Sequence, residues 1–215
     1  MVDVKICGLS TLESVDAAIE AGAALVGLVF FPRSPRNVSL QQAKMLADHA
    51  RGRAKIVALI VDADAVLLRE INDSVAPDLY QAHGSETPQR ALEINKLTAK
   101  PVIKAIKVAD SSDIAKAADY TGKASLILYD AKAPETLANA LPGGNGVAFD
   151  WTLLGGPDQT EGFILSGGLT PENVARAIRV TGAPIVDVSS GVESAPGIKD
   201  LNLIRKFIEA AQAAR

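Results

Sequence analysis

Short apolar, β-branched runs alternate with amphipathic segments along the chain. The strand candidates are Val4–Cys7, Leu25–Phe30, Lys55–Val61, Leu79–His83, Val102–Val108, Ser125–Asp130, Gly162–Gly168 and Ile185–Gly191. Between them the helices announce their ends. Ser10 and Glu13 read as a capping box ahead of the apolar stripe Leu12, Val15 and Ile19, and Gly22 stands where a left-handed C-cap belongs. Ser39 and Gln42 repeat the pattern before Leu40, Ala43, Leu46 and Ala50. Thr87-Pro88 and Thr170-Pro171 each set a cap residue before a proline at the first helical position, where the missing N–H costs nothing. Further helices are predicted over Asp64–Asn72, Ser112–Tyr120 and Pro134–Leu141, and a last one from Asp200 presents Leu203, Ile204, Phe207, Ile208 and Ala211.

Strand and helix alternate in units of roughly 25 residues, which fits a closed (β/α)8 TIM barrel better than a sandwich or a bundle. An open doubly wound sheet would normally carry a Gly-x-Gly-x-x-Gly turn after its first strand, and Cys7-Gly8-Leu9-Ser10 is not one. The expected organisation is one α/β domain over residues 1–215 with tight loops. Two connections break that rule: Phe31–Val38, and Pro142–Glu161 with its Gly143-Gly144-Asn145-Gly146 and Gly155-Gly156-Pro157. Long loops inside a compact domain are usually functional.

Composition narrows the class. Apolar residues make up 48 % of the chain, and no run has the length or unbroken apolarity of a membrane span. A net charge of −3 and an aromatic content of 4 % argue against nucleic acid and leave any anionic ligand to be held by local devices. The N-terminus shows no basic leader or apolar h-region, and the single cysteine suits a reduced compartment, so a cytoplasmic location is expected. No unusually apolar helix face stands out, which favours a monomer over a homodimer. No second His, Asp or Glu accompanies His83 at metal spacing, so no metal is expected.

In a barrel of this kind the chemistry lies where the strands end. Strand one ends in Cys7, strand two leads into Arg33 and Arg36, strand four ends in Gln81 and His83, and strand six ends in Asp130. Strand seven ends in Ser166-Gly167-Gly168 and strand eight in Asp187, Ser189, Ser190 and Gly191. A glycine pair after strand seven and Ser-Ser-Gly after strand eight are the loops on which such barrels cradle a phosphate; each alone could equally be a turn. Strand alternation puts Lys5 and Cys7 on one face, with Asp187 pointing inward beside strand one. A buried Lys5–Asp187 pair is therefore expected. Taken singly, Cys7 reads as a small buried hydrophobe, Arg36 as a solvated charge and His83 as a satisfied rim histidine.

The chain resembles the phosphoribosylanthranilate isomerases of tryptophan biosynthesis nearly end to end. The likeness runs through Lys5-Ile6-Cys7-Gly8-Leu9, Ser34-Pro35-Arg36, Gln81-Ala82-His83-Gly84, Asp130-Ala131-Lys132 and Gly143-Gly144-Asn145-Gly146 with Phe149-Asp150-Trp151. It continues in Ser166-Gly167-Gly168-Leu169-Thr170-Pro171-Glu172-Asn173-Val174, Asp187-Val188-Ser189-Ser190-Gly191-Val192-Glu193 and Pro196-Gly197-Ile198-Lys199-Asp200. It departs where Ala82 and Tyr129 replace the usual Leu and where Asn145 replaces Thr. The resemblance implies an Amadori rearrangement of a phosphorylated aminoaldose, with Cys7 as general base and Asp130 as general acid, Arg36 against the anthranilate carboxylate, and no cofactor, since the substrate's own nitrogen is the electron sink. It further implies that Lys5, Gln81, His83 and Asp187 join the phosphate loops Gly167, Gly168, Ser189, Ser190 and Gly191 in the substrate site. The related histidine-pathway isomerase would carry an Asp where Cys7 stands. A non-catalytic phosphate-binding barrel would leave Cys7 and Asp130 as packing. Two opposed pKa shifts are expected: Lys5 and the phosphate loops drawing Cys7 towards thiolate, and desolvation against Leu128 and the glycine loop keeping Asp130 protonated.

Overall fold

The computed structural model describes residues 2–132, 143–144, 146, 148–154 and 162–214. Eight parallel strands close into a barrel in sequence order: β1 (Asp3–Cys7), β2 (Leu25–Phe30), β3 (Lys55–Ile60), β4 (Leu79–Ala82), β5 (Val102–Val108), β6 (Leu126–Ala131), β7 (Phe163–Leu165) and β8 (Ile185–Val188). The closing pair sets Lys5 opposite Asp187. Alternation along the strands builds two cores. Leu25, Val57, Ile103, Ala105, Leu128 and Ile164 fill the barrel, while the other face of the same strands, including Val4, Ile6, Val186 and Val188, packs under the helices.

The helices are α1 (Leu12–Glu20), α2 (Leu40–Ala50), α3 (Ala65–Val75), α4 (Pro88–Thr98), α5 (Ser111–Ala115), α6 (Val174–Thr181) and α7 (Leu201–Gln212). None of the described helices is long and apolar enough to cross a membrane. Ser39, Asp64, Thr87 and Asp200 each cap a helix through the side-chain oxygen, and Pro88 takes the first turn of α4. Three expected starts move. The capping box of α1 is Thr11 with Ser14, one residue beyond Ser10, because Thr11 Oγ1 reaches the N–H of Ser14. Asp110, whose carboxylate accepts from Ser112 N, starts a short α5 that tightens into a 3-10 turn over Lys116–Tyr120. Thr170 heads one turn only, and α6 begins at Val174 with Asn173 Oδ1 turned back onto Thr170 N. The helix expected over Pro134–Leu141 lies outside the described residues, as do Asn145 and Gly155-Gly156-Pro157.

Past β8, a 3-10 turn at Ser190–Val192 leads into an antiparallel hairpin, β9 (Glu193–Ala195) and β10 (Ile198–Lys199), that the apolar pattern does not reveal. That hairpin folds over the strand ends and carries two charged side chains into them.

Candidate active site

The C-terminal ends of the strands surround a cavity of about 750 Å³, counted with the space that opens to solvent. Cys7, Arg36, His83, Asp130, Ser166, Gly167, Gly168, Asp187, Ser189, Ser190 and Gly191 all line it, with Val29, Phe31, Leu59 and Val61 as its apolar wall. Cys7 on β1 and Asp130 on β6 stand three strands apart around the barrel, so a ligand in the cavity meets both. Lys5 and Gln81 lie beneath the cavity, fully buried, and act on what lines it; Arg33 is exposed.

Under Cys7, Lys5 Nζ donates to Asp187 Oδ1 at 2.8 Å, and Ser166 Oγ donates to Asp187 Oδ2 at 3.2 Å. The strand alternation foretold that pair. Burial opposes the charge of Lys5, but Asp187 and then Cys7 more than restore it, and its pKa ends above the usual value. The thiol behaves otherwise than the sequence suggested. Burial pushes Cys7 up and outweighs the ammonium of Lys5; Asp187 adds to the rise, and Lys199 pulls against it. The positive field is present, yet in the free protein desolvation wins.

Room for the thiol comes from β2. A Cβ on Gly27 would fall 2.8 Å from Cys7 Sγ, 3.1 Å from Cys7 Cα and 3.2 Å from Lys5 Nζ. The carbonyl of Gly27 also accepts from Gly8 N (2.8 Å) and Leu9 N (3.1 Å), which fixes the turn leaving β1. Across the cavity Gln81 Nε2 donates to His83 Nδ1 at 2.8 Å, so Nε2–H is the ring edge that faces Asp130 Oδ2 at 3.1 Å. Asp130 Oδ1 accepts from Ala131 N at 3.0 Å. Gly143 passes directly over this pair: a Cβ there would lie 2.6 Å from His83 Nε2 and 3.1 Å from Asp130 Oδ2.

Arg36 is buried instead of solvated, and it is already clamped. Its Nε donates to Glu193 Oε1 (2.7 Å) and its Nη2 to Glu193 Oε2 (2.8 Å). Lys199 Nζ reaches the same Glu193 Oε1 at 2.8 Å and also donates to Ser189 O at 2.8 Å. Sequence reasoning gave neither Glu193 nor Lys199 a role. Their partners are more than a hundred residues away or across a hairpin turn, and only the bare Glu-x-x-x-x-x-Lys spacing was visible.

The sequence model of one family, N-(5′-phosphoribosyl)anthranilate (PRA) isomerase, matches residues 4–210. The chain belongs to that family. The isomerase of Rhodopseudomonas palustris (strain BisA53) is 56% identical over 99% of this chain and 96% of its own length. A solved phosphoribosyl anthranilate isomerase in complex with reduced 1-(o-carboxyphenylamino)-1-deoxyribulose 5-phosphate superposes with a TM-score of 0.85, at 34% identity over 99% of this chain and all of the other. Monomers generated from the dimeric isomerase of Thermotoga maritima superpose at 0.84, with the same identity and coverage. The chain is thus an isomerase of the PRA family, and the reading as a non-catalytic barrel falls away.

Proposed function

We propose that the whole chain, residues 1–215, is a single cytoplasmic unit that converts N-(5′-phosphoribosyl)anthranilate to 1-(2-carboxyphenylamino)-1-deoxy-D-ribulose 5-phosphate. Asp130 is the general acid and Cys7 the general base. The observation that carries the reading is that the only cysteine of the chain and a buried, histidine-paired aspartate open onto one cavity from opposite sides. The solved relative that holds the reduced product supports it.

Asp130 gives a proton to the ring oxygen as the C1′–O bond breaks, and the anthranilate nitrogen supplies the electron pair that makes the C1′ iminium. Asp130 regains its proton in the last step, when the C2′ hydroxyl loses one. The iminium acidifies C2′–H, Cys7 takes that proton, and the electron pair of the C–H bond runs into the C1′=C2′ double bond of an enolamine. A proton added at C1′ and one lost from the C2′ hydroxyl leave the ketose. Cys7 must act as thiolate although burial resists it. Lys5 and Lys199 oppose that resistance, and the iminium adds a positive charge when the ring has opened. The substrate's own nitrogen is the electron sink, so the chemistry asks for no cofactor. Gly167, Gly168, Ser189, Ser190 and Gly191 form the phosphate end of the cavity, and Arg36 the carboxylate end.

Turnover of the fluorescent aminoaldose tests this. Cys7→Ser and Asp130→Asn should each keep the fold and lose at least about a hundredfold in kcat, the lower bound for a general acid or base. Activity of either variant within about tenfold of wild type would remove that residue from the chemistry.

A further inference from the structure

We propose that Glu193 and Lys199 are positioning residues that set Arg36 for a substrate carboxylate, an inference that rests on the assignment of Arg36 above. A guanidinium offers two bidentate edges. Glu193 occupies one of them, Nε with Nη2, at 2.7 and 2.8 Å. The other edge, Nη1 with the second hydrogen of Nη2, has no side-chain partner among the described residues, and Arg36 lines the cavity. Nη2 also leans on Gly144 O at 3.4 Å, and Nη1 has no hydrogen-bond partner among the described residues. A Cβ on Gly144 would come 2.7 Å from Nη1, so the loop lies beside that edge without a side chain to cover it because a glycine stands there.

A glutamate alone would be a poor companion for an anion site, since the Arg36–Glu193 pair has no net charge. Lys199 removes the difficulty. Its ammonium, 2 % exposed, sits on Glu193 Oε1, so the three side chains together carry one positive charge. Burial drags the Lys199 pKa down while Glu193 holds it up, and burial works against the Glu193 carboxylate while Arg36 and Lys199 hold it below the usual range. Glu193 thus keeps its charge because of the two cations beside it.

The cluster is also tied to the rest of the site. Lys199 donates to Ser189 O at 2.8 Å and lies 3.3 Å from Ser189 Oγ, which in turn donates to Cys7 O at 3.1 Å. Gly197 N closes the hairpin onto Glu193 Oε2 at 3.2 Å. One hairpin therefore fixes the carboxylate end, the phosphate loop and the end of β1 against each other. Glu193 and Lys199 do not line the cavity and touch no reacting atom.

Orientation and charge make opposite demands here, which gives the test its sign. Glu193→Gln is isosteric, loses the bidentate clamp and raises the local charge by one unit. If the cluster worked by charge alone, the variant would bind the carboxylate more tightly. If Glu193 works by orientation, it binds more weakly. The readout is the ratio of kcat/KM for the anthranilate substrate to that for its aniline analogue, which lacks the carboxylate; being a ratio, it is independent of how much enzyme folds. We expect Arg36→Ala to collapse the ratio and Glu193→Gln to lower it by about tenfold or more, one charged hydrogen bond's worth, chiefly through KM of the anthranilate substrate. Lys199→Met should lower it as well, by removing the surplus charge. A ratio that falls in Arg36→Ala but holds or rises in Glu193→Gln overturns the positioning role. A ratio unchanged in Arg36→Ala overturns the assignment of Arg36 itself.

Discussion

Gly27→Ala tests whether the space beside the thiol is part of the machinery. The added methyl would sit 2.8 Å from Cys7 Sγ and 3.1 Å from Cys7 Cα, whereas nonbonded heavy atoms rest at roughly 3.5–4.0 Å. Something must give by nearly 1 Å. The sulfur can turn away, but the backbone of β1 cannot, because Gly8 N and Leu9 N are both hydrogen-bonded to Gly27 O and β1 is paired on both sides. Lys5 Nζ, 3.2 Å from the same point, is held by Asp187 and blocks the remaining exit. Overpacking of this size costs about 1–3 kcal/mol of stability. A catalytic group displaced by about 1 Å costs on the order of a hundredfold in rate. The assays are kcat/KM and urea denaturation, with Val66→Ala as control, since Val66 is 60% exposed and does not line the cavity. A Gly27→Ala enzyme within about threefold of wild-type kcat/KM and within about 0.5 kcal/mol in stability would refute the reasoning.

Lys5→Met removes one of the two ammoniums that oppose the burial of Cys7. The thiol should rise further, so the acid limb of the kcat/KM profile, where the base ionises, should move to higher pH while the other limb stays; two stationary limbs would make Lys5 a partner of Asp187 alone. Lys104→Met should cost about 3–5 kcal/mol in urea denaturation, because it strands Glu86, a buried carboxylate that also accepts from Asp62 N and Gly84 N. A loss below about 1 kcal/mol would show that water reaches Glu86. The chain should sediment as a monomer at all accessible concentrations, although the relative from Thermotoga maritima is dimeric; a concentration-independent dimer would contradict this.

The barrel was legible because each strand is a short apolar run closed by polar residues, and because caps such as Thr87-Pro88 and Ser39 mark helix starts by local chemistry. Local chemistry also explains the misses. Ser10 and Thr11 are both good caps, and only the geometry of the turn after Gly8 chooses between them. The inward pairing of Lys5 with Asp187 followed from the two-residue period of a strand. Glu193 and Lys199 did not, since their partners are set by a two-strand hairpin of three and two residues with almost no apolar pattern. Gly27 was invisible for the opposite reason: inside Leu-Val-Gly-Leu-Val it passes for one more small residue in a buried strand. The rise of the Cys7 pKa could not be read from Lys5 in sequence, because desolvation depends on the whole barrel closing around the thiol.

The division of labour between Cys7 and Asp130 is tested most directly by the isotope effect of a C2′-deuterated aminoaldose in single turnover. If Cys7 removes the C2′ proton, the residual rate of Cys7→Ser is limited by that step and shows a full primary isotope effect. In Asp130→Asn ring opening limits the rate and the effect should be suppressed. A suppressed effect in Cys7→Ser together with a full one in Asp130→Asn would contradict the account.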